Sequence, residues 1–406
     1  MGTPVAATVL YDDGATRHLD DVPTALHLAG DGRVELHYEY HARALPARSD
    51  ERRDFWRYRA LLPIEPGPVP YPLTVGGTPL LAPPELRRTV GMANLWLKDE
   101  TRSPTGSNKD RATALILQQA INEGIETISC ASTGNVAVSL AVGAAAAGKR
   151  AVVFVPASVA ASKLALMLSA GATVLRVKEG YAEAFRLSRE AAAFFGWCDR
   201  NTGVNPFTLD AKKTVAFEIW EQLGREVPDA LVVPVGDGTT LSALAKGFRE
   251  LVACGVASGV PRIVGVQAEG CQPIKAAWET ESAITPTQPQ TIADGIAVGA
   301  PISGVMAIRD MRRSGGGFVA VSDEEILVAL RTLASRAGVL AEPAAAASFA
   351  GLRSAMDAGL LTATDRVVVL ITGSALKTPQ FLEPRGSAPC VDATLEAVRN
   401  ALRVGR

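Results

Sequence analysis

Past residue 41 the chain has no histidine: His18, His27, His37 and His41 all precede its main body. That excludes Ser-His hydrolysis and a His-ligated metal throughout the body. Any chemistry there rests on lysine, carboxylates, hydroxyls or a cofactor. Cysteine is scarce and scattered (Cys130, Cys198, Cys254, Cys271, Cys390), odd in number and without a Cys-x-x-Cys pair. A disulfide framework and a cysteine metal site are therefore not expected, and a reducing cytoplasm is. Net charge is nearly absent, at -1 over 406 residues. Nothing in that balance points to nucleic acid or an anionic membrane as a partner. Long apolar runs are also missing. Val136 to Gly148 is Ala/Gly-rich and stops at Lys149-Arg150, so it does not read as a membrane span. The start shows no basic region followed by an apolar one, and no secretory leader is expected.

What remains is a globular composition, 48% hydrophobic and 20% charged. The length is enough for two lobes. Residues 1–60 are mixed and alternate around Val34-Glu-Leu-His-Tyr38, which predicts a hairpin or extension. A Pro-rich connector, Leu62 to Pro72, follows. Short β-rich runs then alternate with Ala-rich helical stretches: Leu95–Lys98, Thr127–Cys130, Ala151–Val155, Thr173–Val177, Leu231–Val235, Arg262–Gln267 and Val367–Ile371. This alternation predicts βαβ units and an α/β fold of parallel sheets. Ligands of such sheets bind beyond the carboxyl ends of strands.

Four loops stand at such ends. Ser103 to Arg111 (Ser-Pro-Thr-Gly-Ser-Asn-Lys-Asp-Arg) runs into a strong helix former, with Ser107 expected as N-cap and Asp110 completing a weak capping box. Lys109 then falls in the first helical turn, against the positive end of the macrodipole. Such a placement lowers an amine's basicity and suits a nucleophile for carbonyls. Ala131-Ser132-Thr133-Gly134-Asn135 offers hydroxyls and helix-start amides to a carboxylate, or is simply a capped turn. Gly236-Asp237-Gly238-Thr239-Thr240 lets backbone amides approach a phosphate, or is a turn that needs positive φ. Thr372-Gly373-Ser374 puts a hydroxyl where it can meet a ring nitrogen, although taken alone a capped turn is the simpler reading. Together the loops supply an amine, a carboxylate cradle, a phosphate cradle and a neutral ring partner. Those parts suit pyridoxal phosphate and a small amino-acid substrate.

The chain resembles the fold-type II pyridoxal-phosphate enzymes, and within them the threonine synthase family. The matching runs are Trp56 to Pro63, Gly77-Thr-Pro-Leu80, Leu97-Lys-Asp-Glu100, Pro104 to Arg111, Ser132 to Asn135, Asn205-Pro-Phe207 with Lys213-Thr214, Pro234-Val-Gly236, Val264 to Glu269, and Thr372-Gly373 with Leu376-Lys377. The resemblance implies two parallel-sheet lobes with the cofactor in the cleft between them. The expected division is 61–127 with 205–385 as the larger cofactor-binding lobe, 128–204 as a smaller mobile lobe, and 386–406 as a C-terminal helix or tail. It implies that Lys109 links covalently to the cofactor and shuttles the α-proton. It further implies that Asn135 meets the cofactor's 3-hydroxyl, that Ser132 and Thr133, beside Asn135, bind the substrate carboxylate, that Gly236 to Thr240 hold the phosphate, and that Thr372 meets the pyridine nitrogen. A homodimer is implied in the same way.

Several positions leave the family pattern. Asn108 stands where the family has Phe, Val136 where Thr is common, Gly203 for Ser, Thr208 for Arg and Asp237 for Asn. The expected loss of a phosphate grip, with Asp237 reversing a charge, argues for a β- or γ-elimination or replacement enzyme acting on something other than O-phosphohomoserine. True threonine synthase with a remodelled phosphate site, compensated by Lys212, is the alternative, as is a threonine or serine dehydratase. A catalytically silent sensor or assembly partner is the reading from another class.

Overall fold

The computed structural model describes residues 3–22, 32–65, 67–159, 161–382 and 388–404; His27 lies outside them. The amino-terminal segment forms β1 (Ala6–Tyr11), β2 (Thr16–Leu19) and β3 (Gly32–His37). They make an antiparallel sheet of order β2-β1-β3, so the expected hairpin gains a third strand. Its apolar face, Ala7, Val9 and Leu36, joins the core of the Phe207–Gln222 and Thr239–Ala253 helices. Charge fixes the docking as well: Glu35 accepts from Arg249 at 2.7 Å and Arg309 at 2.8 Å, and Tyr38 donates to Asp210.

The body carries two further sheets. Along the chain come β4 (Leu80–Leu81), β5 (Leu95–Asp99), β6 (Thr127–Ala131), β7 (Arg150–Pro156), β8 (Thr173–Val177), β9 (Cys198–Asp199), β10 (Ala230–Pro234), β11 (Arg262–Ala268), β12 (Gly317–Val321) and β13 (Val367–Ile371). The larger sheet has the order β12-β11-β10-β13-β5-β4 and the smaller β8-β7-β6-β9. All pairs are parallel except β4 with β5. Helices cover both faces, so β10 and β13 are buried at every position. That is why these strands read as unbroken apolar runs rather than alternating ones. Of these, β4, β9 and β12 were not anticipated from the sequence.

The helix Lys109–Asn122 is buried almost all round and shares a core with β6 and β7. The Ala/Gly composition of its neighbour, Asn135–Ala146, has a packing reason. A Cβ on Gly143 would sit 2.9 Å from both Leu117 and Thr113, so only a bare backbone fits there. Beneath it, Arg111 is fully buried between two carboxylates, with Nε 2.7 Å from Glu100 and Nη1 2.6 Å from Glu218. Lys98 adds a second cation to Glu218 at 2.6 Å. This balanced group anchors the turn that starts at Lys109.

Candidate active site

Lys109 follows the loop after β5, and that loop is bonded to another strand end. The loop before it is tied to the loop after β13: the Asn108 amide donates to the Thr372 carbonyl at 2.9 Å and the Ser374 amide to the Gly106 carbonyl at 2.8 Å. Lys377 tightens the same loop, its amine donating to the Thr105 and Gly106 carbonyls at 2.8 Å each. The expected capping box is not what forms. The helix begins at Lys109 with Asn108 as a cap that makes no side-chain cap bond. Ser107 Oγ accepts from the Lys109 amide at 3.3 Å, while Asp110 turns back to take the Thr105 amide at 2.8 Å and hydroxyl at 2.7 Å. Asp110 therefore closes the loop upstream instead of pairing with Ser107.

Lys109 is half-buried as a residue, yet its amine sits deep among cleft walls. Its pKa is pushed down to about 8, with burial as the main cause; Glu342 opposes the shift and Arg200 adds to it. The lowered basicity expected from the helix start is present, but desolvation outranks any other cause. The amine donates to Asn108 Oδ1 at 3.2 Å. The Nδ2 of Asn108 is buried and has no protein partner, which leaves a donor beside the lysine for a ligand to satisfy.

Asn135 opens its helix after β6 and donates from Nδ2 to Glu342 Oε1 at 2.7 Å. Glu342 is 5% exposed, and burial pushes its carboxyl up, against the pull of Lys377. It leans over Gly373 so closely that a Cβ there would lie 2.2 Å from Oε1. Ser132 accepts from the Gly134 amide at 3.2 Å, and Ser132 and Thr133 flank Asn135 at the helix start. Among the described residues the amides of Thr133, Asn135 and Val136 have no acceptor.

The glycine loop is a cradle in its backbone. A Cβ on Gly236 would meet the Ile296 backbone at 2.9 Å, and Gly238, at φ +96°, would meet the Ser303 carbonyl at 2.8 Å. Among the described residues the amides from Gly236 to Thr240 donate to nothing, at the positive end of the Thr239–Ala253 helix. The acidic side chain of Asp237 stands in this loop and is held by hydrogen bonds. Its carboxylate is taken up by the Ile302 amide at 2.8 Å, the Ser303 hydroxyl at 2.9 Å and the Thr239 hydroxyl at 2.5 Å. It works as a brace for the neighbouring turn.

Two buried basic side chains lie beside these loops. Arg200 is fully buried and donates to the Lys109 carbonyl at 3.3 Å. Lys212 is buried and donates to Thr240 Oγ1 at 3.3 Å. No carboxylate pairs with Lys212 among the described residues, and burial, with Lys109 and Arg200 nearby, holds its pKa well below that of an ordinary lysine. The structure thus links Lys109, Asn108 and Thr372, links Asn135 to Glu342, and links Thr240 to Lys212. Ser132 and Thr133 approach only through the start of the Asn135 helix. Sequence reasoning gave no site role to Glu342, Arg200 or Lys377, the last of which stood only within a matching run. Only Glu342 carried a local signal, as an acidic residue immediately before the Pro343 helix in an otherwise apolar stretch.

A lysine of lowered basicity, a run of free backbone amides at a helix start and an orphan amide donor suit a phosphorylated carbonyl cofactor bound through an amine. Residues 71–373 match the family model of the pyridoxal-phosphate dependent enzymes, and the chain belongs to that family. It is an enzyme of the fold-type II class, and its cofactor is pyridoxal phosphate. It is similar to the threonine synthase of Methanosarcina acetivorans, 39% identical over 92% of this chain and 93% of that one. The threonine synthase of Methanocaldococcus jannaschii is 36% identical over 86% and 87%. Among solved structures, the T.th. threonine deaminase superposes with TM-score 0.61 at 26% identity, covering 77% of this chain and 94% of that one. An L-serine ammonia-lyase from Rhizomucor miehei shares the fold, with TM-score 0.63 at 23% identity over 73% and 93%. The residues present fit the cofactor, because the free amides, the clash-limited glycines and the unpartnered Asn108 Nδ2 await an anionic, hydrogen-bonding group.

Proposed function

We propose that the chain performs a threonine synthase-type reaction, elimination at Cγ followed by addition of water at Cβ, on O-phosphohomoserine. Pyridoxal phosphate, when bound, supplies an electron-accepting ring that makes the α-proton of an amino acid labile. The rest falls to the chain's own residues. Gly236 to Thr240 hold the cofactor phosphate through backbone amides. Asn135 presents its amide to the cofactor from a position fixed by Glu342, and Thr372 offers its hydroxyl to the ring nitrogen. A neutral hydroxyl there favours elimination and replacement over transamination. Ser132, Thr133 and the helix-start amides take the substrate carboxylate. Lys109, as the neutral amine, removes the α-proton and returns protons along the substrate. The 128–204 segment closes over the 61–127 and 205–385 body and excludes water at the wrong moment.

What supports this reading is the geometry around Lys109: Asn108 before it is tied to Thr372, Asn135 is held by Glu342, and burial pushes the amine down to about 8. Two further facts favour the phosphorylated substrate that the sequence departures argue against. The Asp237 carboxylate is held by Ile302, Ser303 and Thr239, which ties it to that turn. Lys212 places a cation one helical turn beyond Thr208, on the same face. The test is product analysis of the reconstituted enzyme with O-phosphohomoserine, threonine and serine. Release of threonine and phosphate from the first supports the reading. Keto-acid release from threonine or serine, with the first substrate untouched, replaces it with a dehydratase.

A further inference from the structure

Four guanidinium groups, those of Arg48, Arg53, Arg57 and Arg225, line one cavity of ≈ 450 Å³. It lies between the segment around Phe55–Leu61 and the carboxyl end of the Phe207–Gln222 helix. Two carboxylates share its wall. Glu218 is already neutralised, with Arg111 at 2.6 Å, Lys98 at 2.6 Å and the Gly77 amide at 2.9 Å. Glu221 alone is left for the arginines. It accepts from the Tyr58 hydroxyl at 2.6 Å and Arg57 at 3.3 Å, and lies 3.6 Å from Arg225.

Arg57 and Arg225 are held by the fold, while Arg48 and Arg53 stand at exposed positions. The Arg57 side chain is 4% exposed, and its Nε is buried without a partner. Arg48 makes no hydrogen bond or ion pair among the described residues. Arg225 adopts φ 73°, a left-handed conformation that costs a non-glycine residue about 1 kcal/mol or more. Gly77 lets the wall close, since a Cβ there would lie 2.3 Å from the Arg53 carbonyl. The negative end of the Phe207–Gln222 helix accounts for cations at Arg57 and Arg225, but not for Arg48 and Arg53 as well.

We propose that this cavity binds a small phosphate-bearing anion at a site separate from the active site. Guanidinium forks match phosphate oxygens bidentately. The volume suits a small metabolite. The cavity also has a route to the catalytic lysine. Glu218 is bonded to Arg111, which stands in the same helical turn as Lys109. An anion drawing on the arginines shifts the charge balance around Glu221 and Glu218, and so around the anchor of that turn.

The experiment is calorimetric titration of the cofactor-loaded enzyme with inorganic pyrophosphate. Wild type is expected to bind, more weakly at high salt. Arg48→Ala with Arg53→Ala, both at exposed positions, should weaken binding at least tenfold while leaving the cofactor absorbance unchanged. Glu221→Gln frees Arg57 and Arg225 and should tighten it. Lys212→Ala, at the active site, should leave it as in wild type. Absence of binding to wild type overturns the proposal. So does binding that survives the arginine pair but disappears with Lys212→Ala, because the anion then sits in the active site.

Discussion

Gly203 and Asp237 are packed against each other: a Cβ on Gly203, whose φ is +80°, would lie 3.1 Å from Asp237 Oδ2 and 3.0 Å from Ile302. Two positions that leave the family pattern separately in sequence are thus one joint feature in space. The bare backbone of Gly203 leaves room for the carboxylate that braces Ile302 and Ser303.

Restoring serine alone at position 203 should therefore harm the protein. Gly203→Ser combines left-handed strain with a forced contact and should cost about 1–3 kcal/mol in urea unfolding. Asp237→Asn should relieve part of that cost, because the amide can turn its donor toward the new hydroxyl. A double-mutant cycle with a coupling below about 0.5 kcal/mol would contradict the pairing.

Lys109 makes the apoenzyme pH-sensitive in a defined direction. Its folded value, about 8, lies below the ordinary 10.5. Between those values the unfolded chain binds more protons, so stability rises with pH across the window. The penalty is complete below about 8 and gone above 10.5, and amounts to roughly 3 kcal/mol at most. Lys109→Met should stabilise the apoenzyme near neutrality and flatten the profile. In wild type the rate of cofactor attachment, followed by absorbance, should climb through about pH 8 and then level off. A rate independent of pH across that value would count against the amine's assigned state.

The bond from Asn135 Nδ2 to Glu342 Oε1, at 2.7 Å, makes Glu342 a positioning residue. Glu342→Gln keeps an acceptor and should change cofactor affinity by less than about threefold. Glu342→Ala releases Asn135 and should weaken affinity about 10-fold or more, by analogy with lost outer-shell partners. Fluorescence titration of the apoenzyme measures both. Equal effects from the two substitutions would mean that charge, not the held amide, is what matters.

How these residues were or were not readable from sequence follows from where their signals lie. Lys109, Asn135, Gly236 to Thr240 and Thr372 each stand just beyond an apolar run, at a glycine- or hydroxyl-marked turn, so their placement is locally encoded. β9 and β4 have only two residues each, too few to present a period, while β12, as long as strands that were read, opens on Gly317 directly after Gly315 and Gly316, which reads as a turn. Glu342, Arg200 and Lys377 reach the site through strand order. Because β13 lies between β10 and β5, Gly373 and Ser374 meet the Gly106–Ser107 loop from the far end of the chain. No local pattern encodes that meeting. Asp237 was legible as a residue, but its behaviour was not, since Ile302 and Ser303 approach it from another turn.

Lys212 separates stability from function most sharply. It is a buried amine whose one hydrogen bond among the described residues goes to Thr240 Oγ1, at 3.3 Å, and burial disfavours its charged form. A cation so placed is held at a cost to the fold, and an anion delivered to it is attracted strongly. Lys212→Met keeps the apolar stem and removes the charge, so the apoenzyme should gain about 1–3 kcal/mol in denaturant. The same change should raise KM for O-phosphohomoserine by about 10- to 100-fold, in line with roughly 1.5–3 kcal/mol for a charge-assisted bond to phosphate. Cofactor affinity, titrated separately, decides which phosphate Lys212 serves. A KM effect with unchanged cofactor binding assigns it to the substrate. A loss of cofactor affinity of the same size assigns it to the Gly236–Thr240 cradle, and the substrate phosphate then rests on Arg200.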